Sequence, residues 1–113
     1  MEKDYLKKKI QIIVNNFKAQ KFDFVISKSI DCLKKFPKTV ILYNLLGSSY
    51  QNVGEHLKAR DVFINGLKLD SENIAIKNNL ATSYKYLLQY ENSENLYKKI
   101  IEINPKYVNA YVN

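Results

Sequence analysis

Residues 40–73 read VILYNLLGSSYQNVGEHLKARDVFINGLKLDSEN, and this stretch decides the fold. Tyr43, Leu46, Gly47 and Tyr50 fall at i, i+3, i+4 and i+7, the spacing of one face of an α-helix. Gly47 is a poor helix former, about 1 kcal/mol worse than Ala. On that face its missing side chain suits a neighbouring helix that must come close. Gly54 follows the last periodic residue and suits the left-handed backbone that ends a helix. A second apolar stripe follows: Leu57, Ala59, Phe63, Gly66 and Leu67. Ala59 and Gly66 are small where the first helix would cross. The stretch therefore reads as two antiparallel helices joined by a short turn, a unit that cannot bury its apolar face alone.

The same unit extends in both directions. Pro37, Ser71 and Pro105 are evenly spaced, one period of the repeat apart. Upstream, residues 4–18 predict a helix with Leu6, Ile10, Ile13, Val14 and Phe17 on one face and Asp4 as N-cap or first-turn acid. Ile10, Val14 and Phe17 take the places of Tyr43, Gly47 and Tyr50. Phe17 to Phe22 is one residue shorter than Tyr50 to His56, which predicts a tighter turn over residues 18–21. Residues 22–36 form the partner helix, with Phe22, Val25, Ile26, Ser29, Cys32 and Leu33 inward, and Pro37 ends it. Downstream, Leu80, Ala81, Tyr84, Ser93 and Tyr97 repeat the pattern before Pro105. Lys77 stands where an aromatic is expected, its packing weaker or its stem laid along the surface. Tyr86 and Tyr90 bracket a turn without Gly. The expected organisation is one domain over 1–113: repeat 1 about 5–39, repeat 2 40–73, repeat 3 74–107 and the start of repeat 4 at 108–113. An array that stops inside its fourth unit reads as the N-terminal piece of a longer protein.

Composition narrows the function. Three Gly and two Pro in 113 residues leave room for long helices, and one Cys excludes an internal disulfide. No signal peptide or membrane-length apolar run is present, so the expectation is a soluble, cytoplasmic protein. The net charge of +7 is concentrated: residues 1–39 hold ten lysines against four acids. A nucleic-acid partner would depend on Lys7, Lys8, Lys9, Lys34 and Lys35. A solvated Lys-rich face explains the same charge more simply, so nucleic acid is not the expected partner. One His and one Cys cannot build a zinc site. His56 reads as a packing residue and Cys32 as buried and inert. Tyr43, Tyr50, Tyr84, Tyr97 and Tyr111 fall on core positions rather than on a base-stacking surface. No acid pair, nucleophile triad or phosphate loop is visible.

Tyr43-x2-Leu46-Gly47-x2-Tyr50 followed by Ala59-x3-Phe63 resembles the tetratricopeptide repeat, with Tyr for Trp and Ser71 for the usual Pro. The resemblance covers nearly the whole chain. It implies an all-α fold, a right-handed superhelical solenoid of antiparallel helix pairs. It also implies a scaffold that binds a protein or peptide in its concave groove, without catalysis, metal or cofactor. Counting from the core stripe, the first helix of each pair should present Gln11 and Asn15, then Asn44, Leu45, Ser48 and Gln51, then Asn78, Asn79, Thr82 and Lys85, with Asn109 and Asn113 continuing the row. Of these, Asn15, Asn44, Ser48, Asn78, Asn79, Thr82, Lys85 and Asn113 are the candidate peptide contacts. Asn donates and accepts, and so can hold an extended backbone without reading its sequence. One subtype of the family clamps a terminal carboxylate with Lys, Asn and Arg. Here Asn15 matches one clamp Asn, but Gln11 and Ala75 replace Lys, Leu45 replaces Asn and Asn79 replaces Arg, which argues against that ligand. A second subtype carries an Asn ladder. Asn79 and Asn113 match it, Leu45 and Ile12 do not. Similar arrays precede bacterial sulfotransferases and glycosyltransferases, so a substrate-recruiting arm of such an enzyme is the alternative. The unfinished fourth unit would leave apolar surface for self-association through the C-terminal end.

Overall fold

The computed structural model describes residues 1–106. Six helices run in order: α1 (Glu2–Lys18), α2 (Phe22–Lys35), α3 (Val40–Asn52), α4 (His56–Leu69), α5 (Ile74–Tyr86) and α6 (Tyr90–Ile103). They make three pairs, α1–α2, α3–α4 and α5–α6, and no strand occurs among the described residues. The second helix of each pair packs on the first helix of the next, α2 on α3 and α4 on α5, so the core runs on from unit to unit. This is the all-α solenoid that the period implies.

The turns within the pairs share one geometry. Gln20, Gly54 and Leu88 all take left-handed backbone, with φ of 62°, 83° and 61°. In each turn the next amide reaches back around the helix end, Lys21 to the Asn16 carbonyl (2.9 Å), Glu55 to Tyr50 (2.8 Å) and Gln89 to Tyr84 (2.8 Å). A second bond runs from the left-handed residue itself, Gln20 to Phe17, Gly54 to Gln51 and Leu88 to Lys85. Together these two bonds form the Schellman C-cap, which satisfies carbonyls that the helix end leaves open. Only the second unit supplies a Gly there. Gln and Leu accept the strain because the paired bonds hold the chain in place.

This geometry corrects the first unit. Its turn is the same length as the others, not tighter. Lys9, Ile13 and Asn16, rather than Ile10, Val14 and Phe17, therefore occupy the places of Tyr43, Gly47 and Tyr50. Ile13 is the residue that α1 buries, at 2% exposure. α1 also starts two residues before the expected position, with Met1 as N-cap and Glu2 and Asp4 both in its first turn. Acids there face the positive end of the helix dipole. Leu57, expected on the inner stripe of α4, lies exposed beside the turn.

Aligned this way, the cores show an exchange of bulk. In the second unit Phe63 is fully buried, and a Cβ added to Gly47 would sit within 2.7 Å of its ring carbons Cδ1 and Cζ. Gly47 thus makes room for the ring. A Cβ on Gly66 would meet Tyr43 Cβ at 3.0 Å and Ile76 Cδ1 at 3.1 Å, so Gly66 lets α4 touch both α3 and α5. In the first unit the same three places hold Ile13, Ser29 and Cys32, all buried. In the third they hold Ala81, Tyr97 and Ile100, again buried. The bulk at these places comes from α1 in the first unit and from the second helix of the pair in the other two.

Candidate functional site

The first helices of successive pairs also touch one another, α1 against α3 and α3 against α5. They therefore form the inner row of the stack. On α3 and α5 this row is polar and tied together. Asn79 Nδ2 donates to Asn44 Oδ1 at 2.8 Å and lies 3.4 Å from Ser48 Oγ. Gln51 Nε2 donates to the Asn79 carbonyl at 2.7 Å and to Ser83 Oγ at 2.8 Å. These bonds cross between repeats and are part-buried. They hold the side chains in one arrangement.

The other candidate residues divide. Thr82 Oγ1 donates to the Asn78 carbonyl at 3.1 Å, a bond along its own helix. Asn78 Oδ1 is buried without a hydrogen-bond partner among the described residues. A buried acceptor left open in this way costs about 1–3 kcal/mol. Lys85 is half-buried on the same helix, next to the turn. Asn15 is exposed, and its Oδ1 accepts from Gln11 Nε2 at 2.9 Å. It stands in the place of Ser49 and Ser83, both fully buried, rather than beside Asn44 and Ser48. The first-unit counterparts of Asn44 and Ser48 are Ile10 and Val14, so the amide row starts at the second unit. Asn109 and Asn113 lie outside the described residues.

His56 stacks on Tyr86 across the α4–α5 junction, with ring centroids 4.2 Å apart and planes 4° apart, which fits its reading as a packing residue. Burial pushes the Cys32 thiol above its ordinary value, partly offset by the nearby charge of Lys9. A raised pKa leaves less thiolate at neutral pH, so the thiol is a weak nucleophile. Lys77 is buried at 8% exposure where an aromatic was expected, and a cavity lies beside it.

A family model described as tetratricopeptide repeat matches residues 40–73 and 74–107. The chain belongs to the tetratricopeptide-repeat family. By sequence, no curated protein matches it. Several solved tetratricopeptide domains are similar in structure. The first such domain of Spaghetti (RPAP3), bound to the HSP90 peptide SRMEEVD, superposes with a TM-score of 0.91 at 16% identity, covering 95% of this chain and 85% of that one. The tetratricopeptide domain of Arabidopsis OM64 gives 0.91 at 11% identity, covering 96% and 90%. The second domain of human RPAP3, in complex with the HSP70 peptide SGPTIEEVD, gives 0.87 at 12%, covering 92% and 87%. At these identities the likeness is one of fold.

The sequence missed two features of this tetratricopeptide array. The cross-repeat bonds of Gln51 and Asn79 depend on how closely α3 approaches α5. A cavity between α1 and α2 is lined by Lys9, which stands in the place of Tyr43, a substitution that shows only in the corrected alignment. The even spacing of Phe22, His56 and Tyr90, the first residues of α2, α4 and α6, was the available signal.

Proposed function

We propose that this array is a non-catalytic scaffold that binds an extended segment of a partner protein along the inner faces of α3 and α5. The hydrogen-bonded set of Asn44, Asn79 and Gln51 supports this reading most directly. After the internal bonds are made, Asn44 keeps its amide nitrogen and Asn79 its amide oxygen. A donor and an acceptor held side by side fit the alternating N–H and C=O groups of an extended backbone. Ser48 and Thr82 flank them with hydroxyls, and Lys85 adds one cation at the end of the row. The peptide complexes known for structural relatives make this use of the fold familiar, though the row here has its own composition.

The test is a selection of binding peptides from a random extended library, followed by titration of the ¹⁵N-labelled chain. Bound peptides should perturb amides of α3 and α5. Replacing Asn44 and Asn79 together by Ala should weaken binding by about tenfold, or roughly 1.4 kcal/mol, with an unchanged helical circular-dichroism spectrum. Peptides that bind the double variant as tightly as the parent would remove the inner row from the site.

A further inference from the structure

In the second unit Tyr43 lies against Gly66, and its hydroxyl donates to the Pro37 carbonyl at 2.6 Å. In the first unit the same two places hold Lys9 and Cys32. No ring fills the space, and a cavity of about 400 Å³ lies between α1 and α2. Its size falls within the range of small-ligand sites. Three aromatic rings line it, those of Tyr5, Phe24 and Phe36, with Tyr5 and Phe36 6.2 Å apart. Three ammonium groups stand over these rings. Lys35 Nζ is 4.7 Å from the Tyr5 centroid, Lys9 Nζ is 5.4 Å from it, and Lys28 Nζ is 5.7 Å from that of Phe24. None of the three lysines forms an ion pair in the described residues. Asp31 is the single carboxylate on the wall, so cations outnumber it three to one. The surrounding residues 1–39 carry almost all of the chain's excess charge.

An apolar, aromatic-walled space rimmed by unpaired cations matches one kind of occupant. A neutral apolar group would leave the ammoniums unanswered, and a small inorganic anion would leave the rings uncovered. We propose that this cavity is a second binding site, separate from the inner row, for an acidic peptide that inserts one aromatic side chain among Tyr5, Phe24 and Phe36 and sets its carboxylates against Lys9, Lys28 and Lys35. The inserted ring takes the place that Tyr43 fills in the second unit. The flanking carboxylates meet cations that no acid of the described residues already pairs.

The experiment is a titration of the ¹⁵N-labelled full chain with the capped peptide Glu-Glu-Phe-Glu-Glu, its Gln-Gln-Phe-Gln-Gln counterpart and a short thymidine oligonucleotide. The acidic peptide should shift amides around Tyr5, Ile12, Phe24 and Phe36. The glutamine peptide should bind at least about tenfold more weakly, and added salt should weaken the acidic one. Lys9→Tyr restores the missing ring and should cut affinity by about tenfold or more, with an unfolding midpoint equal to or above the parent's. Should Lys9→Tyr fail to fold, the exposed Lys35→Gln decides, with an expected loss of about threefold. Asn44→Ala should leave this binding unchanged. The proposal is overturned by no binding, by shifts confined to α3 and α5, by equal binding of the glutamine peptide, or by a folded Lys9→Tyr protein that binds like the parent. Tighter binding of the oligonucleotide at the same amides would overturn it in favour of nucleic acid.

Discussion

The first and second repeats solve one packing problem in opposite ways. The second buries a single large ring, Phe63, among Gly47, Ala59 and Gly66. The first has no ring at that place. It fills the space with Ile13, Val25 and Cys32 around Ser29, whose hydroxyl is buried without a partner in the described residues. The comparison shows that the helix supplying the bulk between paired helices is free to change. It also shows where a first repeat can look unlike the signature and still fold the same way.

The largest effects should come from putting bulk on both sides of this exchange. Gly47→Ile places a branched side chain where Phe63 already sits, and should destabilise the chain by about 3 kcal/mol or more. Phe63→Ser leaves a cavity and a buried hydroxyl, and should cost about 3–5 kcal/mol. The double variant Gly47→Ile with Phe63→Ser copies the first repeat into the second. It should recover at least about 1 kcal/mol relative to the sum of its single changes. Urea unfolding of the three proteins provides the comparison, and strict additivity would show that the two positions do not share the space.

A smaller difference separates the turns. Gly54 takes left-handed backbone freely, whereas Leu88 takes it against its side chain, at about 1–2 kcal/mol for an L residue. Leu88→Gly should therefore raise stability by up to about 1 kcal/mol, after the extra chain entropy of Gly is subtracted. Gly54→Ala should lower it by about 1 kcal/mol, although nothing stands within 4 Å of the added carbon. Thermal melts that moved in the same direction for both would contradict a shared turn geometry.

The smallest effect concerns Cys32, which stands where the second repeat has Gly66. Burial raises its pKa, so the reactive thiolate forms only at higher pH than for an ordinary thiol. Alkylation of the folded chain should lag behind that of the urea-unfolded chain at pH 8, and its rate should keep rising past the pH at which the unfolded rate levels off. Equal rates in the two states would place Cys32 at the surface.

The second repeat was legible because two glycines report geometry directly. Gly47 marks a close approach and Gly54 marks a left-handed turn. The first repeat offers no such marks. Its stripe of Ile10, Ile13, Val14 and Phe17 is wide enough to fit two alignments, and Gln20 gives no sign of its φ of 62°. The alignment one residue off followed from that, and so did the placement of Asn15 beside Asn44. The period alone located Asn44, Ser48, Asn78, Asn79 and Thr82 on the first helices of their pairs. Which of them bond to one another is a matter of distances between helices, and a list of residues carries none.

The bonds from Gln51 to Asn79 and from Asn79 to Asn44 join neighbouring repeats, and no side-chain hydrogen bond among the described residues spans more than 35 positions of the chain. Among the described residues no side-chain hydrogen bond joins α1 to α6. Such a molecule assembles from short loops and has little topological delay in folding. Under tension applied at its two ends it would yield in steps, each repeat lengthening as it lets go of its neighbour, and would shorten again by the same route when the load is removed.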